Sequence, residues 1–425
     1  TYDYSDKDRL SSGAEITRTR RTEYISAGVT KLRTLRASEV PIEDTLATNL
    51  GRGTYERRFP GIAGGEARLV FDVQGYEREA DAVTPGLLAA CGSVDPVIAP
   101  SACIARDVVR TTAELGWHRD WTFRNGMIAR VEGRVAGDYY FISQDTAFPD
   151  QPFRVTPGAT AELRWPLARE WAGGGRSLLQ PVVQLGWAES FGDATPNEDS
   201  RLVEFDEGNI LALSHYPARD APETGLRAAA GLAWTHFTPT GREYALAVAR
   251  IFRDTDPGLF SGASGLNSAE SDWLIAGRLE FTDTLSLNNR TLFDDTWDVS
   301  KSETRLTYAG RRLSATTSYI WVEAAESEGR TLDVSEWNVD VAYEFARHWT
   351  GRANWRYDLI EGSPARGGVG LGYRNECVDI DLSLSRRFTS STNVEPSTDV
   401  GLTISLNGFG QDGRPYARGC NHVKG

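Results

Sequence analysis

The chain has 425 residues, with 46 Lys and Arg against 59 Asp and Glu, for a formal net charge of −13. That balance argues against a general nucleic-acid binder, which needs a basic footprint. Hydrophobic residues make up 40% of the chain, and no run approaches ~18 consecutive apolar residues, so no transmembrane helix is written in it. A membrane β-barrel is not excluded by this, because half of each of its strands faces water.

Thr1 opens the chain without a Met or a charged-then-apolar leader, which reads as a mature chain or a fragment. Alternation then recurs along the sequence. Ala67, Leu69, Phe71 and Val73 oppose Arg68, Asp72 and Gln74. Ala129, Val131 and Val135 oppose Arg130, Glu132 and Arg134, and Ala159, Ala161, Leu163, Trp165 and Leu167 oppose Thr160, Glu162 and Arg164. Further on, Trp337, Val339, Val341, Tyr343 and Phe345 oppose Asn338, Asp340 and Glu344, while Ala353, Trp355 and Tyr357 oppose Arg352, Asn354, Arg356 and Asp358. Val378, Ile380, Leu382 and Leu384 oppose Asp379, Asp381, Ser383 and Ser385, and Val400, Leu402, Ile404 and Leu406 oppose Thr403, Ser405 and Asn407. Period-2 alternation gives a strand one apolar and one polar face. The segments run about 10–15 residues, longer than the ~5–6 of globular strands and suited to tilted membrane crossing.

The predicted fold class is all-β: a large antiparallel transmembrane β-barrel of outer-membrane type. Residues 1–410 would form about 18–19 strands, and residues 411–425 an irregular tail. Connections alternate in length. Short ones carry turn chemistry at Asn125-Gly126, Pro239-Thr240-Gly241 and Arg347-His348. Long polar ones cover Ser38–Gly53, Ala80–Arg106, Gly192–Glu223, Thr255–Glu270 and Thr389–Thr398, the asymmetry an outer-membrane barrel shows between its two ends. Trp117, Trp121, the Tyr139-Tyr140-Phe141 run, Trp349, Trp355 and Tyr357 read as interfacial girdles.

Catalytic and metal signatures are missing from the sequence. The histidines His118, His215, His236, His348 and His422 show no ligand spacing, and neither HExxH nor GxSxG occurs. No CxxC pair suggests zinc. The Gly-rich stretch Ala172 to Arg176 lacks the Lys of a phosphate loop and reads as a turn. The acidic run through Glu198, Asp199, Glu204, Asp206 and Glu207 has the hard oxygen ligands a divalent cation takes, although a solvated loop explains it as well. No catalytic residue, metal site or cofactor is assigned. The four cysteines permit disulfides in an oxidising compartment. A bridge between Cys91 and Cys103 would close a loop, stabilising by on the order of 3 kcal/mol.

Three stretches carry a family resemblance: Pro196 to Pro217, Ser271 to Asp295, and Gly372 to Leu406. They resemble the C-terminal barrel of the lipopolysaccharide-assembly family LptD, in its alphaproteobacterial form. The resemblance implies a translocon in the outer membrane of a Gram-negative bacterium, not an enzyme. Its expected partners are lipopolysaccharide, a plugging LptE-type lipoprotein, outer-membrane lipid, and a periplasmic Lpt bridge that docks on an N-terminal jellyroll. Divalent cations would accompany lipopolysaccharide as its own counterions. The family barrel has about 26 strands, so the resemblance implies that roughly the first seven lie outside this sequence.

The resemblance also implies roles for individual residues. Cys377 would pair with a cysteine of the N-terminal domain, and Cys420 is a second candidate for that bond or for a local one with Cys377. The last strand, with Val400, Leu402, Ile404 and Leu406, would form one side of a lateral gate for the lipid tails. Arg130, Arg134, Arg164, Arg352 and Arg356 alternate into the lumen and could grip phosphates bidentately, or could balance lumenal carboxylates. The alternative function is a porin-like or receptor-type channel. A soluble propeller would need a repeat of about 40–50 residues, and none is found.

Overall fold

A computed structural model describes residues 9–35, 39–82, 104–198, 203–256, 258, 260–328, 330–376, 378–388 and 396–406. Among these, 21 strands form one sheet. In chain order they are β1 (Arg9–Arg20), β2 (Glu23–Thr34), β3 (Asn49–Pro60), β4 (Glu66–Glu77), β5 (Asp107–Thr122), β6 (Ile128–Ser143), β7 (Phe153–Arg164), β8 (Leu167–Glu170), β9 (Arg176–Ala188), β10 (Phe191–Gly192) and β11 (Gly225–Phe237). They continue as β12 (Glu243–Arg253), β13 (Trp273–Thr282), β14 (Leu285–Phe293), β15 (Val299–Ala309), β16 (Leu313–Val322), β17 (Val334–Ala346), β18 (Trp349–Asp358), β19 (Ser363–Arg374), β20 (Val378–Arg387) and β21 (Thr398–Leu406).

Every pairing is antiparallel, and long strands pair with their chain neighbours. The short β8 and β10 only extend the edges of the β7–β9 hairpin. Such a meander satisfies each strand's backbone N–H and C=O on its neighbours, the condition for a sheet exposed to hydrocarbon. The sheet is the wall of the predicted barrel. Among the described residues no pairing joins β1 to β21.

Register carries the face assignment across the wall. Leu382 of β20 lies opposite Leu371 of β19 and Leu402 of β21. Val131 of β6 faces Arg119 and Ala161 on the same outward side. Leucines, valines and aromatics of this side are exposed along the wall, including Leu115, Val135, Leu163, Leu185, Leu232 and Val369. An apolar surface this continuous is lipid-facing or partner-facing. The opposite side carries the charges. Arg110, Glu114, Asp138, Arg154 and Arg227 are all buried there.

Two sequence expectations are revised. Asn49–Gly53 belongs to β3, not to the preceding loop, because Lys31 pairs with Asn49 and Gly51 and Gly53 continue the ladder. Glycines at alternate positions hide the strand from a hydropathy reading. Tyr140 does not join the girdle: it is only 1% exposed and packs inside against Val108 and Ile142. Three consecutive aromatics cannot share one strand face, so Tyr139 and Phe141 point out and Tyr140 points in.

The ends of the wall differ. One end has tight links. At Asn125-Gly126, Gly126 takes φ 83° while Phe123 N–H bonds the Met127 carbonyl at 2.8 Å, and Gly241 takes φ 84° in the link after β11. Only a glycine adopts such angles without strain. The other end carries the long connections, and the described parts of two of them, 203–224 and 260–272, pack against the inner side of the wall.

Candidate functional site

The lumen at the long-loop end is built around one hydrophobic cluster. Ala229 of β11, Ile251 of β12, Leu274 of β13 and Leu292 of β14 point inward and meet Phe205 and Leu266 from the two returning loops. Val203, Ile210, Leu211 and Phe260 pack on its margin. Phe205, at 2% exposure, has its ring against His215, 6.0 Å between centroids. Burying a Phe and several Leu or Ile side chains contributes about 1.5–3 kcal/mol each, enough to hold a loop of this length in place.

Polar straps fix the loop 203–224 to the wall at three places. At β5, Arg219 Nη1 donates to Glu114 at 2.5 Å. At β7, Arg154 donates to the carbonyls of Arg219 and Asp220, each at 2.8 Å, while holding Asp138 of β6 at 2.7 Å. At β14, Arg290 donates two bonds to Glu207, at 2.6 and 2.8 Å. The Arg290 hydrogen bonds hold the Glu207 carboxyl below its ordinary range, against a smaller opposing effect of burial. A planar guanidinium suits such bidentate capture. Leu213 fills space that two glycines leave open: a Cβ at Gly158 would stand 2.6 Å from Leu213 Cδ2, and one at Gly186 3.4 Å from Cδ1.

At the root of this loop, Glu223 accepts three hydrogen bonds, two from His215 and one from Arg253, and forms an ion pair with Arg227. His215 Nδ1 is 2.7 Å away, the His215 backbone N–H 3.1 Å, Arg253 Nε 2.8 Å and Arg227 Nη1 3.4 Å. Burial pushes the Glu223 carboxyl up, but the His215 hydrogen bond and the charges of His215, Arg253 and Arg227 outweigh it and hold the pKa at about 2. Burial beside that carboxylate pushes the Tyr216 hydroxyl up to about 12. Nothing in the sequence signals this cluster, whose members come from one loop and two strands.

The folded loop leaves a cavity on each side. The first, about 610 Å³, lies between the inner faces of β5, β6, β7 and β9 and the loop segment 208–222. The second, about 470 Å³, is lined from β11 to β16 and includes Glu207, Arg290 and Glu303. Three of the five arginines singled out from the sequence, Arg130, Arg134 and Arg164, meet in the first cavity. Arg130 pairs with Asp120 at 3.0 Å and Arg164 with Glu162 at 2.8 Å. Arg134 makes no ion pair within 4.0 Å among the described residues, and reaches the cavity in the field of Glu114 and Glu132, which line it too. Arg352 and Arg356 stand apart on β18, paired with Asp381 and Glu336. Arg352 lines a separate hollow of about 230 Å³ with Asp340 and Asn354.

The acidic loop run does not converge on itself. Glu198 takes Arg78 at 2.8 Å and Arg106 at 2.7 Å, Glu207 takes Arg290, and Asp206 Oδ1 accepts from the backbone N–H of Gly208 at 2.8 Å. Asp199 lies outside the described residues, as do Cys91, Cys103, Cys377 and Cys420, so the expectations placed on them have no structural counterpart here. Val400, Leu402, Ile404 and Leu406 line the outward face of β21, between 58% and 73% exposed.

The family model described as LptD, LPS transport system D, matches residues 2–349. No curated protein matches the chain. Among solved structures, the siderophore receptor PirA from Acinetobacter baumannii is similar at 10% identity and TM-score 0.42, over 94% of this chain and 71% of that one. A ferric enterobactin receptor (PfeA) mutant from Pseudomonas aeruginosa gives 10% identity and TM-score 0.45, over 93% and 69%. The FrpB iron transporter from Neisseria meningitidis gives 11% and 0.42, over 90% and 67%. With its family model matched over most of its length, the chain belongs to the LptD family of the lipopolysaccharide transport system.

Proposed function

We propose that this barrel passes lipopolysaccharide into the outer leaflet of a Gram-negative outer membrane. The observation that carries this is the pairing of a charged lumenal cavity, where Arg130, Arg134 and Arg164 meet, with an apolar outward face that ends at the edge strand β21. Lipopolysaccharide is an amphiphile with an anionic sugar and apolar tails. Its sugar phosphates suit the lumen with Arg130, Arg134 and Arg164, and its tails suit a lateral path along Val400, Leu402, Ile404 and Leu406. The long loops then face outside and the tight turns face the periplasm. An LptE-type lipoprotein and a periplasmic Lpt bridge complete the assembly. Residues 1–410 act as the barrel and 411–425 as a tail. Cys377 or Cys420 ties the barrel to the N-terminal domain, and a Cys91–Cys103 bridge closes the loop that holds it. No bond is made or broken, and divalent cations travel with the lipopolysaccharide.

The test is photocrosslinking in cells, with a benzophenone amino acid at Ala136, in the lining of the Arg134 cavity, and, separately, at Leu402. Lipopolysaccharide adducts at both positions support the path. Adducts at neither position, with passage of small saccharides through the purified barrel, would overturn it in favour of a porin-like channel.

A further inference from the structure

The two ends of the wall carry opposite charge. Counting β8 and β10 with the segments they interrupt, the long-loop connections hold 30 Asp and Glu against six Arg. The short-turn connections hold seven Arg, namely Arg21, Arg124, Arg169, Arg242, Arg311, Arg312 and Arg347, against three acidic residues, Glu170, Asp283 and Glu376.

The arginines also differ in how they are used. Among the described residues, those of the long loops are all paired: Arg78 and Arg106 with Glu198, Arg219 with Glu114, and Arg330 with Glu328. At the short-turn end only Arg242 has a carboxylate, Asp283 at 3.2 Å. The other six are exposed and have no carboxylate within 4.0 Å among the described residues. An exposed ring of unpaired guanidinium groups on an acidic protein is placed for an anionic partner.

The surroundings say which kind. Aromatic residues gather at this end of the wall: Trp121, Phe281, Tyr308, Phe345 and Trp349 are first, last or next to last in their strands, and Trp171 lies in the connection before β9. Arg169 lies opposite Ser177 in the ladder, and its guanidinium sits over the Trp171 ring, 4.0 Å from the centroid. Trp171 Nε1 donates to Ser177 Oγ at 2.9 Å, and Ser177 Oγ lies 2.8 Å from His236 Nδ1. The His236 ring stacks between Trp234 and Tyr244, at 6.1 and 6.5 Å. This is an amphipathic patch of linked rings with a cation over one of them, the composition that suits a lipid headgroup region. A soluble protein partner would not need the rings to face the hydrocarbon side.

We propose that the short-turn rim, centred on Arg169 over Trp171, is a binding surface for the phosphodiester headgroups of anionic glycerophospholipids in the inner leaflet. It rests on the orientation given under the proposed function, but not on lipopolysaccharide passage. Recruiting such lipids around the periplasmic end would hold the barrel at fixed depth and keep its wall sealed on the side opposite the acidic loops.

The experiment is lipid retention by native mass spectrometry. The purified chain is released from nanodiscs containing equal phosphatidylglycerol and phosphatidylcholine, and the bound lipids are counted. Wild type should retain phosphatidylglycerol several-fold over phosphatidylcholine. The variant R169Q/R311Q/R312Q/R347Q should bring that ratio close to one, and the matching Arg→Lys variant, which keeps the charge, should restore it. Heat-modifiable migration on gels confirms that each variant is folded. Equal retention of both lipids by wild type, or an unchanged preference in the folded Gln variant, overturns the proposal. Because no lipopolysaccharide is present, either result leaves the translocation reading to its own crosslinking test.

Discussion

His215 Nδ1 lies 2.7 Å from the Glu223 carboxylate, with both side chains almost fully buried where the loop 203–224 re-enters the wall. Arg253 and Arg227 complete the ring of donors. The depressed pKa of Glu223 makes this a stabilising contact whose sign with pH is fixed. The contribution is fully present above the ordinary carboxylate value of 4.5 and is lost as pH falls from there towards about 2. Its size is on the order of 3 kcal/mol. Limited proteolysis of the folded barrel should therefore show loop 203–224 becoming cleavable through that acid window. Glu223→Gln should be cleavable already at neutral pH and show a flat acid profile. An acid transition shared by both proteins would place the lock elsewhere.

The wall's two faces make a second prediction. Leu382 and Ser383 are adjacent in β20, with Leu382 pointing out and Ser383 in. Arg at Leu382 should cost about 2–4 kcal/mol if that side meets hydrocarbon, whereas Arg at Ser383 should be nearly neutral in a hydrated lumen. Urea unfolding in lipid vesicles measures both. Equal costs at the two positions contradict the face assignment.

How much of this was legible beforehand depends on which interactions are local. The alternation of Val378 to Ser385 fixes a strand with two faces because side-chain direction has period 2, and the structure follows it. Where small residues replace apolar ones, as at Asn49–Gly53, the pattern fades although the ladder persists. The inward turn of Tyr140 was implicit in the three-aromatic run but needed the parity of its neighbours. Arg130, Arg134 and Arg164 could each be placed on a polar face from the sequence. That they share one cavity while Arg352 and Arg356 do not depends on barrel curvature and on a loop folding between them. The Glu223 cluster joins residues of a loop and two strands through packing alone, so no spacing rule reaches it.

Gly158 tests the loop's seat on the wall. Any Cβ there meets Leu213 Cδ2 at 2.6 Å, closer than side-chain atoms tolerate. Gly158→Ala should destabilise the closed loop by about 1 kcal/mol, the low end of overpacking, because the Leu213 tip must shift into the cavity it lines. Leu213→Ala in the same chain should recover most of that loss, so the double-mutant cycle should show strong coupling. Hydrogen exchange at residues 208–216 reports the effect directly. Independent, additive effects of the two substitutions would mean that the loop does not rest on β7.

Arg154 and Arg134 should separate structural from functional arginines in the same lumen. Arg154 is buried and holds Asp138 at 2.7 Å, the Thr195 hydroxyl and two loop carbonyls. Arg154→Ala strands a buried carboxylate and frees the loop, so it should cost about 3–5 kcal/mol, the penalty for breaking a buried pair. Arg134→Ala removes a cation that makes no ion pair within 4.0 Å among the described residues, and Glu114, whose field it shares, keeps Arg219. Its effect on thermal stability should be within about 1 kcal/mol, since no buried group loses its partner. Lipopolysaccharide crosslinking from a probe at the neighbouring Ala136 should nevertheless fall in the Arg134 variant. A large stability loss at Arg134 with crosslinking unchanged would make that side chain part of the wall's framework and move the anion contact to Arg130 or Arg164.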